Sequence, residues 1–211
     1  MDQRWVCFDV GETLIDETRV WSIWADLLGV TRLTFMAALG AVIADGDDHR
    51  DVFQMVGRPD WEKLYPDFSA AYGGFRAEDL YPDAVPSLQT LRADGYKLAI
   101  FANQPARRTA ELRALGIDPD VMAMSDELGV NKPDPEFYVK ALAYMHADAS
   151  EVAYIGDRLD NDVRPSAAVG MRPVYLRRGP WGVIGGGEIP AGTLVIDSLT
   201  ELVERIAEVW S

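Results

Sequence analysis

From Tyr81 onward the chain alternates short apolar runs with segments whose apolar positions recur at helical spacing, and few folds accommodate that rhythm. Residues 97–102 (KLAIFA), 121–124, 151–155, 172–176 and 195–196 read as strands. Residues 85–94, 106–115, 135–145, 160–169 and 198–209 read as helices, the fourth interrupted early by Pro165. Strands joined through helices are connected by crossovers, which implies a parallel sheet covered on both faces. The expected fold class is α/β, a Rossmann-like doubly wound parallel sheet. The glycine-rich stretch 182–192 has no motif spacing and reads as a flexible connector.

One further strand belongs to this sheet although it lies far upstream. Trp5, Val6, Cys7 and Phe8 form a short apolar run that ends in Asp9, with Gly11 and Thr13 following. An acid is thereby delivered beyond the carboxyl end of a strand, where open α/β sheets bind ligands. No strand pattern appears between Asp16 and Leu80. Val20, Trp21, Trp24, Leu27 and Leu28 instead sit at helical spacing, with Gly29 as the stop, and 33–43 and 67–74 look like further helices. Residues 16–80 are therefore expected to be a helical insertion, and 1–15 with 81–211 the core.

Composition narrows the partners. The 211 residues are 48% hydrophobic and 26% charged, ordinary for a globular chain, but the net charge is −14. That balance argues against nucleic acid and anionic membranes as partners, while a fixed cation inside a cleft would still admit a phosphorylated small molecule. No apolar run reaches membrane-spanning length, and the first residues lead straight into a strand, so a cytoplasmic location is expected. The one cysteine, Cys7, lies mid-strand and reads as buried and inert.

Each expected strand end carries a polar group. Asp9 follows the first strand and Asn103 follows KLAIFA. Lys132 lies in the loop 129–134 after the next strand, and Asp157 closes the strand after that, with Asp162 one helical turn on. Singly, Asp157 and Asp162 could cap a helix and Lys132 could be solvated. Gathered on one sheet edge, three carboxylates repel unless neutralised. A hard divalent cation held by oxygen ligands, Mg²⁺ in particular, resolves the conflict.

The motifs Phe8-Asp9-x-Gly11-x-Thr13-Leu14, Gly129-x-x-Lys132-Pro133-Asp134-Pro135-x-Phe137 and Gly156-Asp157-x4-Asp162 together resemble the haloacid dehalogenase superfamily. The resemblance covers essentially the whole chain, and the inserted helices resemble that family's first-type cap. It implies a Mg²⁺-dependent phosphatase for a small phosphorylated metabolite. Asp9 would take the phosphoryl group as an aspartyl-phosphate. The metal would be held by the Asp9 carboxylate, the Gly11 carbonyl and Asp157, with Asp162 in or beside the coordination sphere. Lys132 would cancel the charge of Asp9 and the phosphate.

Two positions depart from the family pattern. Its phosphatases carry a second Asp two residues after the nucleophile, as general acid and base; here that residue is Gly11. The Ser or Thr expected to bind phosphate is Ala102, followed by Asn103, which could substitute if its side chain turns inward. Three readings follow: a phosphohydrolase that borrows its acid from Glu12, the cap or the substrate; a hydrolase of carbon–halogen or carbon–phosphorus bonds; and a weak or non-catalytic binding protein. The second fits poorly, because Lys63 is the only cap lysine and stands late in the insertion, and Gly11 stands where the dehalogenases carry an aromatic residue. Trp21, Trp24, Trp61 and Tyr65 are candidates to line a pocket, and Arg19, Arg32, Arg58 and Arg76 to anchor an anionic substrate.

Overall fold

The computed structural model describes residues 3–211. Strand β1 (Trp5–Phe8) lies inside a parallel sheet between β2 (Lys97–Ala102) and β4 (Val152–Gly156). β3 (Val121–Met124) flanks β2, while β5 (Arg172–Leu176) and β6 (Leu194–Ile196) extend the other side, giving the order β3-β2-β1-β4-β5-β6. The chain reverses its direction of growth between β1 and β4, so a crevice opens there beyond the carboxyl ends. In register Phe8 faces Ile100 on one side and Ile155 on the other, which brings Asp9 beside the ends of β2 and β4.

Within residues 16–80 stand four α-helices: α1 (Thr18–Leu28), α2 (Arg32–Asp45), α3 (Asp51–Met55) and α4 (Tyr65–Tyr72). α1 stops at Gly29, whose φ of +67° is the left-handed conformation glycine adopts without steric penalty. α2 starts from Thr31, whose hydroxyl accepts the Thr34 amide. The helices bury their own aromatic core, in which Trp24 stacks on Phe68 at 4.3 Å and Phe53 on Trp61 at 4.2 Å. The two chain segments entering and leaving this insertion run side by side through an Ile15–Leu80 bridge. Arg19 ties them further, donating to both Asp79 oxygens (2.7 and 2.5 Å) and to the Tyr72 and Gly74 carbonyls.

Seven more helices cover the sheet: α5 (Ala84–Ala93), α6 (Arg108–Ala114), α7 (Ser125–Leu128), α8 (Pro135–Met145), α9 (Arg164–Ala168), α10 (Gly179–Ile184) and α11 (Leu199–Arg205). Side chains alternate along β1, so Val6 and Phe8 pack with α5, α6 and α11 while Trp5 and Cys7 pack with α8. Both layers are predominantly apolar, as a sheet buried on two faces requires. Two expectations need correction. Residues 160–169 form two pieces, a π-helical turn (Leu159–Val163) and then α9, with Pro165 in the first turn of α9 where its missing N–H costs nothing. The stretch 182–192 is not wholly a connector, since Gly182 lies in α10 and packs behind the Tyr175 hydroxyl, which donates to its carbonyl.

Candidate active site

The carboxyl ends of β1 and β4 and the loop before α8 deliver four charges to one point. Lys132 Nζ lies 2.7 Å from Asp9 Oδ1 and 2.5 Å from Asp162 Oδ1. One carboxylate oxygen each of Asp9, Asp157 and Asp162 falls within 4.8 Å of the others, and all three residues are buried. The π-helical turn makes this convergence. It returns Asp162 onto the end of β4, where its second oxygen accepts the Arg158 amide at 3.1 Å. A Cβ on Gly156 would fall inside the Asp162 side chain, so only glycine allows that approach.

Electrostatics at this point are severe. Burial raises the Asp157 carboxyl well above its usual range, and Asp162 and Asp9 push it further. Burial also pushes Asp162 up to about 6, against the pull of Lys132. Burial alone would lower the Lys132 ammonium, but Asp162 and Asp9 outweigh it and hold the lysine charged. Lys132 is one cation against three carboxylates. Asp157 Oδ2 is buried with no hydrogen-bond partner among the described residues. An oxygen of that kind, inside an all-oxygen donor set, fits a hard divalent cation.

The remaining residues expected at the site divide. Ala102 is buried at the end of β2 and offers no polar side chain. Asn103 lines the cavity, and its carboxamide accepts the Lys132 amide (2.7 Å) and donates to the Lys132 carbonyl (2.9 Å). Its observed work is to hold the Lys132 backbone in place. Glu12 is also engaged, one oxygen accepting the Glu17 amide (2.8 Å) and the other the Tyr81 hydroxyl (2.5 Å), so it is not free to serve as an acid. Cys7 is fully buried, which pushes its thiol up and leaves it inert.

A cavity of about 370 Å³ opens from these groups toward the insertion. Asp9, Gly11, Lys132 and Asp157 line its floor. Its walls are aromatic and include Trp21, Trp24, Phe53, Trp61, Tyr65, Phe68 and Trp181. Trp21 and Trp24 belong both to the packed interior of the insertion and to the cavity wall. Of the arginines considered from sequence, none lines the cavity: Arg19 is bound to Asp79, Arg32 to Asp26, Arg58 to the Leu28 carbonyl and Arg76 to Glu78. Arg50, Arg107, Arg108 and Arg158 stand there instead. Arg108 is buried over the Tyr72 and Phe75 rings, and its Nε has no partner among the described residues.

Glu17 is the cavity residue that sequence reasoning passed over. It immediately precedes α1, and its carboxyl lies over Gly11, so that a Cβ built there would be 2.7 Å from Glu17 Oε1. Burial, then the charges of Glu12 and Asp9, push this carboxyl up to about 8. An acidic residue before a helix signals only a helix start in the linear pattern; nothing local announces that it faces Gly11.

Known proteins resemble this chain in sequence and in fold. The family model for haloacid dehalogenase-like hydrolases matches residues 3–170. A glyceraldehyde 3-phosphate phosphatase of Methanopyrus kandleri is 36% identical over 104 residues, 48% of this chain and 45% of that protein. Its counterpart in Methanocaldococcus jannaschii is 35% identical over 129 residues, 60% of this chain and 56% of that protein. The matched part spans about half the length of these curated relatives. Among solved structures, a HAD phosphatase from Thermococcus onnurineus shares the fold with a TM-score of 0.62 and 24% identity, covering 99% of both chains.

Proposed function

The chain belongs to the haloacid dehalogenase-like hydrolases, and from that premise we propose that it is a Mg²⁺-dependent phosphatase that works through an aspartyl-phosphate on Asp9. The observation that carries this reading is the buried group of Asp9, Asp157 and Asp162 with one lysine and one unpartnered carboxylate oxygen. Asp9, Asp157 and the Gly11 carbonyl would hold Mg²⁺, with Asp162 beside them; bound there, the ion supplies charge neutralisation and polarises the phosphoryl oxygens. Lys132 pairs with the Asp9 carboxylate and offers positive charge to the transferring oxygens. Asp162 in turn fixes the Lys132 ammonium, and Asn103 fixes its backbone.

Residues 16–80 act as a cap over a core of 1–15 and 81–211, and the substrate is enclosed between them. The similar proteins named above support a small phosphorylated metabolite as substrate. The aromatic walls favour an ester whose organic part is apolar or aromatic.

The metal part of this reading is tested without turnover. At a Mg²⁺ concentration of about 100 Kd, binding to the folded state alone adds about 2.7 kcal/mol. For a chain of this size that raises Tm by about 5–10 °C. Asp157→Asn is expected to remove most of the rise while leaving Tm in EDTA as high as wild type or higher, because it removes a buried repelling charge. A full Mg²⁺ shift in Asp157→Asn would take Asp157 out of the site.

The shift also depends on pH with a definite sign. Asp157 and Asp162 have folded pKa values raised above the unfolded value of 3.8. The folded apoprotein therefore binds more protons than the unfolded chain, and its stability falls as pH rises through about 6 and beyond. Mg²⁺ takes the place of those protons. The Mg²⁺-induced rise in Tm is expected to be larger at pH 8 than at pH 5, and equal rises at saturating metal would contradict the assignment.

A further inference from the structure

We propose that Glu17 is the general acid and base of this site, acting from the space that a side chain at position 11 would otherwise fill. The proposal rests on the phosphatase reading above and adds the proton donor that reading lacks. Three observations carry it. The Glu17 carboxyl lies over Gly11, two residues after Asp9, with Oε1 and Cδ 2.7 and 3.1 Å from the position of a Cβ. It faces the cavity whose floor holds Asp9, Lys132 and Asp157. Among the described residues no donor is hydrogen-bonded to it, whereas Asp9 and Asp162 are engaged by Lys132 and Glu12 by Tyr81 and the Glu17 amide.

The surroundings place Glu17 rather than merely permit it. Glu12 adopts φ +50° and turns its side chain to accept the Glu17 amide, which pins the start of α1 over the end of β1. A Cβ on Gly179 would run into Glu12, so the first residue of α10 leaves room for that contact. Glycine at position 11 then leaves room for the longer side chain arriving from the insertion. The Glu17 carboxyl thus takes up the space beside Gly11 that a side chain there would need.

The chemistry balances. An Asp9 oxygen forms a bond to phosphorus as the phosphorus–oxygen bond to the alcohol breaks. The electron pair stays on the departing oxygen, which takes the Glu17 proton. Glu17, now a carboxylate, removes a proton from water as that water's oxygen bonds to phosphorus and the bond to Asp9 breaks. Hydrogen phosphate leaves, Asp9 is a carboxylate again and Glu17 is protonated again.

Glu17→Gln keeps the size and removes the proton transfer. The test compares phenethyl phosphate, whose alcohol needs a proton to leave, with p-nitrophenyl phosphate, whose phenolate does not; both carry a ring that suits the cavity. The value of kcat/KM, which reports steps up to departure of the alcohol, is expected to fall about 10²–10⁴-fold for phenethyl phosphate and far less for p-nitrophenyl phosphate. With p-nitrophenyl phosphate kcat still falls, because water attack has lost its base, and a burst of p-nitrophenol stoichiometric with enzyme appears. Gly11 lies outside the left-handed region, so an L side chain is allowed there. Gly11→Asp in a Glu17→Ala background is accordingly expected to recover phenethyl phosphate turnover. With Glu17 in place, Gly11→Asp only displaces one carboxyl by another and gains little. Equal loss on both esters in Glu17→Gln, with wild type active on both, would overturn the role of Glu17 alone. No release by wild type from either ester would overturn the phosphatase reading and this role with it.

Discussion

Lys132→Met is expected to lower kcat/KM by about 10²–10³-fold or more and to destabilise the fold by about 3–5 kcal/mol. Both losses have one origin. Lys132 is buried with its ammonium between Asp9 and Asp162, and methionine fills the volume without the charge. Breaking a buried pair from one side strands the other side, and here two carboxylates are stranded beside a third. The substrate then meets Asp9 with nothing on the lysine side to cancel their repulsion. Asp162→Asn added to Lys132→Met is expected to regain part of the stability, since one stranded charge is gone, but none of the activity. Urea unfolding of the single and double variants, with kcat/KM on p-nitrophenyl phosphate, checks both parts. Wild-type stability in Lys132→Met would show that the ion pairs do not hold the site together.

The fold was largely legible because its signals are local. Residues 97–102, 121–124, 135–145 and 172–176 have the observed bounds of β2, β3, α8 and β5. Pro135 opens α8 and Gly29 closes α1, and such cues act within one helical turn. α10 escaped because its glycines and Pro180 read as loop. Its helix is held from outside, by packing on α2 and by Trp181 against Trp21 at 6.3 Å between ring centres.

Residue type told less at the site than along the chain. Asp9 and Asp157 converge because parallel strands must end on one edge, while Lys132 arrives from the loop before α8 and Asp162 from the π-helical turn after β4. Asn103 and Glu17 are matters of side-chain direction. Asn103 has a backbone partner 29 residues away, and Glu17 is aimed by the Glu12 turn and by the insertion's return at Leu80. The arginines at the cavity show the same limit. Arg108 is buried and Arg19 half-buried, each among acids and rings, and only the fold decides which one faces the cleft.

Asp9→Asn removes the one group proposed to bond to phosphorus, and its expected effect is the largest of all: loss of measurable turnover with the fold intact. An amide at position 9 still packs at the end of β1 and still accepts a hydrogen bond from Lys132, but it is a poor nucleophile and a neutral metal ligand. Far-UV circular dichroism and urea unfolding are expected to stay near wild type. The decisive measurement is phosphate release from p-nitrophenyl phosphate by wild type and Asp9→Asn, each with Mg²⁺ and with EDTA. Release by wild type in Mg²⁺ alone, and none by Asp9→Asn in either condition, is the predicted result. Release by Asp9→Asn at the wild-type rate, or equal release by wild type in EDTA, would contradict the account.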